Sequence, residues 1–372
     1  MKVCLIGPAH PLRGGIAHYT ALLAKALGKR HEITLLAYTR LYPRLVFPGT
    51  TELDTSRHQF AADSEPIFDP LNPRSWLRTA RRIRALSPDL LIVQWWRPVF
   101  AIPLWIIIRL AKRDGRPKVL FICHNVIPHE RLPGERMLPR FAFAVADLFI
   151  VHSDEDLHNL RAIRPDARIR KLFLPINDGF GPALPRETAR AQLGLTSPTI
   201  LFFGLIRRYK GLIHLLRAMP LVLKAIDCTL LVVGEFYDDR EECLDLIRSP
   251  ELSAHVRLVD RYVPNEEVAL YFSAADLIVL PYTSATQSAV VPIAYSFERP
   301  VVTTRVGGLS EVVVDAQTGF IVDPADPKGL AEAIVRYYRE GREGAFIDGI
   351  RKERGRLSWE HFVEAIEDLC GR

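Results

Sequence analysis

Short, largely apolar runs alternate with stretches of helical periodicity along the sequence, and no other feature narrows the fold so far. The runs fall at residues 3–6, 33–37, 90–94, 119–123, 148–151 and 169–174, with helical patterns such as 16–27 and 154–162 between them. A strand buried on one face alternates polar and apolar residues, whereas a run that is apolar throughout is covered on both faces. Such strands separated by helices build a parallel sheet sandwiched between helical layers. The rhythm then restarts. Strands are predicted at 199–203, 229–233, 256–259, 277–280 and 301–304, and helices at 212–224, 266–273, 290–297 and 328–339.

Between the two series lies PINDGFGPALPRETARAQLG, whose prolines and glycines interrupt both patterns. The prediction is an α/β protein of two doubly wound, parallel-sheet, Rossmann-like domains facing each other across a cleft. Residues 1–180 form the first and residues 181–345 the second. A helical segment, 346–372, with Ser358 as an N-cap in its final piece, packs back toward the first domain. A chain of 372 residues is long enough for two cores of ordinary size. In doubly wound sheets, ligands bind outside the carboxyl ends of the strands, so chemistry is sought in the loops that follow them.

Composition removes several function classes. The five cysteines, Cys4, Cys123, Cys228, Cys243 and Cys370, are scattered without a CxxC pair or a histidine at ligand spacing, which argues against zinc and disulfides and for a reducing compartment. The first residues lack the apolar core of a signal peptide, and the longest apolar stretch, 98–110, is too short to span a bilayer. A soluble, cytoplasmic protein is expected. Charge is unevenly placed: residues 1–180 carry 27 Lys/Arg against 16 Asp/Glu, the remainder 22 against 27. A basic first half suits a phosphorylated substrate or an anionic membrane, and no recognisable nucleic-acid module accompanies it.

Five stretches could carry chemistry. Gly14-Gly15 follows the first strand and opens a helix, where backbone amides can approach an anion; a tight turn without a ligand is the alternative. FFGLIRRYKG, residues 202–211, delivers Arg207, Arg208 and Lys210 at a strand's carboxyl edge, a place for pyrophosphate. In PYTSATQSAVVPIAYSFERPVV, residues 281–302, the amides of Gln287, Ser288 and Ala289 and the hydroxyls of Thr286 and Ser288 could hold phosphate oxygens; Ser288 also serves as an ordinary N-cap. His124 and His129 share the loop ICHNVIPHE, with no carboxylate cluster to make it a metal site. RSWLRTARRIR, from Arg74 to Arg84, is a basic amphipathic helix. It either lies on anionic lipid or packs Trp76 and Ile83 inward as a surface helix. Trp95 and Trp96 follow a strand end, and either stack on a sugar or lipid-linked acceptor or fill the core.

Taken in order, these pieces resemble the family-4 retaining glycosyltransferases of the GT-B architecture. The resemblance covers nearly the whole chain. It rests on PLRGGIAHYTALLAKAL (11–27), the His124-Asn125 loop, GLIRRYKG (204–211), VGEF (233–236), RYVPNEEVALYFSAADLIVLPY (261–282), RPVVTTRVGGLSEVV (299–313) and TGFIVDPADPKGLAEAI (318–334). It implies a hexosyltransferase-type enzyme, with a nucleotide-sugar donor held mainly by the second domain and a glycan or lipid-linked acceptor held mainly by the first. No metal and no cofactor are required. By the same resemblance Gly14-Gly15 is the glycine loop near the donor phosphates, and Lys210 and Arg207 bind phosphate. His124 lies near the transferred sugar and Val263 near the base.

The chain departs from this family at one place. Two glutamates with seven residues between them usually stand before and within the phosphate-binding helix, and here Ala285 and Ile293 occupy those positions. This marks a divergent branch. It also leaves open a non-catalytic sugar-nucleotide-binding protein, and a sugar-nucleotide epimerase on the same fold is a third reading. Cytoplasmic location, with peripheral attachment to the membrane's inner face, completes the expectation.

Overall fold

The computed structural model describes residues 1–41, 53–127 and 137–371. The chain divides into two compact units, Met1–Thr55 with Gln59–Phe173 and Ser358–Arg372, and Ser56–His58 with Leu174–Leu357. Each is an α/β layer structure built on a wholly parallel sheet.

In the first unit seven strands, β1 (Lys2–Gly7), β2 (Glu32–Tyr38), β3 (Ser64–Phe68), β4 (Leu90–Trp95), β5 (Lys118–Cys123), β6 (Leu148–Val151) and β7 (Arg168–Lys171), lie in the order β3-β2-β1-β4-β5-β6-β7. Helices α1 (Gly15–Gly28), α2 (Pro73–Leu86), α3 (Ala101–Ala111), α4 (Leu138–Phe143) and α5 (Asp154–Ile163) make the crossovers. Strands β4 and β6 are buried at every residue, as their largely apolar sequences require. One core joins these strands to Ile83 of α2, Leu104 and Ile107 of α3 and Phe143 of α4. Removing a fully buried ring such as Phe149 costs about 3–5 kcal/mol, a large part of a domain's stability.

The second unit holds β8 (Thr199–Phe203), β9 (Thr229–Val233), β10 (Val256–Val259), β11 (Leu277–Leu280), β12 (Val301–Thr304) and β13 (Gly319–Val322), in the order β10-β9-β8-β11-β12-β13. Its helices are α6 (Arg186–Leu193), α7 (Leu212–Leu223), α8 (Arg240–Ile247), α9 (Asn265–Ala274), α10 (Val290–Ser296), α11 (Leu309–Val312), α12 (Pro327–Arg339) and α13 (Glu343–Glu353). Asp276 is buried at the start of β11. It accepts the amide of Thr199 and pairs with Arg186 and Arg190, so the charge is compensated where it is desolvated.

Two strands escape the sequence pattern, β3 and β13, and both lie at sheet edges. Edge strands are half exposed and need no apolar run, and β3 carries Pro66, which an edge tolerates. The first unit also ends earlier than residue 180, at Phe173. The closing segment is not one piece. Phe346 of α13 is fully buried against Phe320 and Tyr337, which keeps α13 in the second unit. The last helix, α14 (Trp359–Leu369), belongs to the first unit. Ser358 caps it by accepting from the His361 amide, Trp359 and Phe362 pack on Tyr19 of α1, and Arg30 and His31 pair with Glu367.

Candidate functional site

In the second sheet the strand order reverses between β8 and β11, because β8 leads toward β9 on one side and β11 toward β12 on the other. Side chains after these two strands therefore stand at a topological switch point, where the carboxyl ends leave a crevice. The loop after β8 ends in a short 3-10 turn, Arg208–Lys210, and Gly211 starts α7. Gly211 has φ 68, and a Cβ built on it would lie 2.0 Å from the Pro281 carbonyl oxygen. Only glycine fits there, and the fit presses the β8 loop against the β11 loop. Thr283 completes the seam by donating its amide to the Tyr209 carbonyl over 2.7 Å.

This seam folds Lys210 inward. Although the residue is half-buried overall, its ammonium is enclosed: it lies 5.8 Å from the Tyr282 ring centroid and would be 3.0 Å from a Cβ on Gly204. It meets no carboxylate and no hydrogen-bond acceptor among the described residues. Burial first, and the positive field of Arg207 second, push its pKa from 10.5 down to about 8. Arg207 stands over the Tyr237 ring at 5.1 Å. Arg208 is different: it is exposed and pairs with Asp239 at 2.6 Å, which holds it away as a surface link.

The loop after β11 supplies hydrogen-bond donors. Thr286 is buried, and its carbonyl accepts the Gly308 amide at 2.9 Å, tying this loop to the one after β12. The Ser288 hydroxyl is 3.3 Å from the Tyr282 hydroxyl and accepts the Val290 amide at 3.2 Å. The Ser288 and Ala289 amides donate to no acceptor among the described residues. Gln287 is half-buried beside them. Val263 is buried in the loop between β10 and α9. Ala285 and Ile293 are buried apolar side chains, so neither can offer a hydroxyl-binding carboxylate. Glu298, the nearest acid in sequence, is bound by Arg351 at 2.8 and 2.9 Å.

In the first unit the reversal falls between β1 and β4. Gly14, at φ 122, has none of the described residues within 4 Å of where a Cβ would sit, and Gly15 opens α1. His124 follows β5 but is buried rather than displayed. Its Nε2 donates to the Gln94 side-chain oxygen at 2.6 Å, and its ring packs edge-on against Tyr19 at 4.8 Å and lies 5.4 Å from His152. Burial, then His152, hold its pKa well below 6.5, so the imidazole is neutral at pH 7.

Trp95 and Trp96 correct the expectation of an acceptor platform. They are 0% and 7% exposed, packed against Phe143 and Phe100 respectively, because the β4 carboxyl end runs beneath the α3 and α4 layer. His129 lies outside the described residues. From Arg74 to Arg84 the helix forms, with Asn72 as cap, and buries Ser75, Thr79, Ala80 and Ile83.

Four contributors escaped the sequence reading. Tyr282 and Gly204 enclose the Lys210 ammonium, Gln94 sets the proton on His124, and Asp156 accepts the Val126 amide at 2.8 Å and so fixes the loop after β5. Only Gly204, a glycine closing an apolar run, carried a signal that could have been read.

Residues 13–177 match the family described as Glycosyltransferase Family 4, and residues 197–340 the family described as Glycosyl transferases group 1. A D-inositol 3-phosphate glycosyltransferase of Corynebacterium urealyticum is 29% identical over 245 residues, 60% of this chain and 56% of the relative. The chain thus matches little more than half the length of such curated relatives. Among solved structures, a sucrose-phosphate synthase from Thermosynechococcus elongatus superposes with a TM-score of 0.76 at 21% identity, covering 99% of this chain and 98% of the other. Anabaena Alr3699/HepE in complex with UDP-glucose superposes with a TM-score of 0.73 at 17% identity, covering 99% of both chains. Their folds, two parallel-sheet Rossmann-like domains of the GT-B kind, are the fold of this chain.

Proposed function

We propose that the chain is a hexosyltransferase-type glycosyltransferase that moves a sugar from a nucleotide-sugar donor to a glycan or lipid-linked acceptor, with retention and without a metal ion at the diphosphate. The observation that carries this reading is the Lys210 ammonium, enclosed at the switch point beside a second cation and without a carboxylate among the described residues. An enclosed, uncompensated cation costs stability. A bound diphosphate removes that cost, and the Ser288 and Ala289 amides give it further donors.

When the anomeric C–O bond breaks, negative charge gathers on the departing diphosphate while the sugar becomes oxocarbenium-like. Lys210, Arg207 and the 288–289 amides then bind the developing charge more tightly than the ground state, which is what accelerates the step. Within the first unit, the resemblance assigns Gly14-Gly15 to phosphate contact and the neutral His124 imidazole to the side of the transferred sugar. The relatives, a D-inositol 3-phosphate glycosyltransferase and a protein complexed with UDP-glucose, support sugar transfer as the use of the anion site.

One observation favours a second reading, a sugar-nucleotide-binding protein without catalysis: Ala285 and Ile293 are buried and apolar where the resembled family carries acids. Donor turnover separates the two. Purified protein incubated with a panel of nucleotide sugars should release nucleoside diphosphate, and Lys210→Ala should slow release by about 10²–10³-fold with the fold intact. Turnover by Lys210→Ala at the unmodified rate would overturn the assignment, and tight donor binding without any release would favour the binder.

A further inference from the structure

The outer surface of the first unit's α2–α4 layer is unusual. α3 is apolar nearly all round, which fits a helix enclosed on every side. Yet Ile102 is 48% exposed, and Trp105 and Ile106, three and four residues on, are half-exposed. Elements that pack against α3 carry further exposed apolar side chains: Val99 just before it, at 55% exposure, and Phe141 of α4, at 51%. On α3 and on the helices packed against it stand Arg74, Arg78 and Arg81 of α2, Arg109 of α3 and Arg140 of α4, all exposed. None of these five arginines has a carboxylate partner among the described residues.

We infer that this face docks on an anionic lipid bilayer. Exposed aliphatic and aromatic side chains together with arginines that meet no carboxylate among the described residues match the two layers of a membrane surface, with the apolar groups entering the acyl boundary and the guanidinium groups meeting lipid phosphates. A second copy of the chain fits worse, since a two-fold contact through this face would set the arginines against each other. The face lies on the surface and does not cross: α3 spans about 16 Å at ~1.5 Å per residue, half of a ~30 Å hydrocarbon core. No helix among the described residues is long and apolar enough to cross a membrane. The inference is independent of the sugar-transfer reading, because it needs no nucleotide.

The test is sedimentation of the full chain with vesicles of phosphatidylglycerol in phosphatidylcholine, and of phosphatidylcholine alone, at low and high salt. The protein should pellet with the anionic vesicles at low salt and stay in solution with the neutral ones. Arg74→Gln/Arg78→Gln/Arg81→Gln should weaken the partition by on the order of 100-fold. Val99→Ser/Ile102→Ser, with charge unchanged, should weaken it at least ~10-fold, since several methylenes no longer enter the acyl region. Unaltered melting temperatures establish that both variants are folded. The inference is overturned if the protein ignores anionic vesicles, pellets equally with neutral ones or binds unchanged in both variants. It is also overturned if light scattering finds a dimer that Val99→Ser/Ile102→Ser dissolves.

Discussion

If the Lys210 ammonium grips a diphosphate, donor affinity must depend on pH in a way that the enclosed site dictates. In the free protein, burial and Arg207 hold the Lys210 pKa at about 8. A phosphate charge ~4 Å away is worth on the order of 4 kcal/mol at an effective dielectric near 20, or about three pKa units. The complex therefore lifts the group past its ordinary 10.5. The pKa is higher in the bound state, so the lysine's contribution is fully present below pH 8 and is lost as pH rises. Above that point each complex formed takes up a proton, and affinity falls by up to tenfold per pH unit, about 100-fold between pH ~8 and ~10. Calorimetric titration with the best-binding nucleoside diphosphate, repeated across pH 7 to 10, reads this directly. Lys210→Ala should bind on the order of 10–100-fold more weakly at pH 7, the worth of one charge-assisted hydrogen bond, and should lose the alkaline fall. Wild-type affinity that stays flat to pH 10, or a variant that keeps both affinity and slope, would refute the reasoning.

Three further outcomes follow from the same geometry. Lys210→Met should raise the melting temperature at pH 7 by about 2 °C or more in differential scanning calorimetry while impairing donor binding, because a desolvated cation is removed from beside Arg207; that gain should shrink as pH rises above 8, where the lysine is already neutral. Gly211→Ala should destabilise by at least ~1–3 kcal/mol in chemical denaturation, since its Cβ would meet the Pro281 carbonyl and its φ is left-handed. Trp95→Ala should cost about 3–5 kcal/mol of stability as a core deletion, with any residual activity showing an unchanged acceptor KM; a raised KM in a fully stable variant would restore the indole to an acceptor platform.

How far the sequence could be read depended on what each residue answers to. Runs such as residues 277–280 and 148–151 fix buried strands because burial on both faces leaves little alternative. β3 and β13 answer to one neighbouring strand and to solvent, so SEPIF and GFIV leave a weaker pattern. The cations after β8 were legible from their place at a strand's end. That Lys210 turns inward while Arg208 pairs with Asp239 was not, because the difference comes from Gly211 pressing against Pro281, a contact between loops far apart in sequence. Trp95 and Trp96 misled for a similar reason. An indole after a strand can stack on a sugar or seal a core, and the packing of α3 and α4 above β4 decides between them. His124 was rightly placed after a strand, but its packing against Tyr19 and His152, which α14 covers in turn, involves residues from across the first unit.

The measurement that bears most directly on the account is a crystal structure of the protein with the nucleoside diphosphate selected by the titration. It should place phosphate oxygens within hydrogen-bond distance of the Lys210 Nζ and of the Ser288 and Ala289 amides, with Arg207 alongside. A diphosphate seated elsewhere, leaving the Lys210 ammonium without an anion, would contradict it.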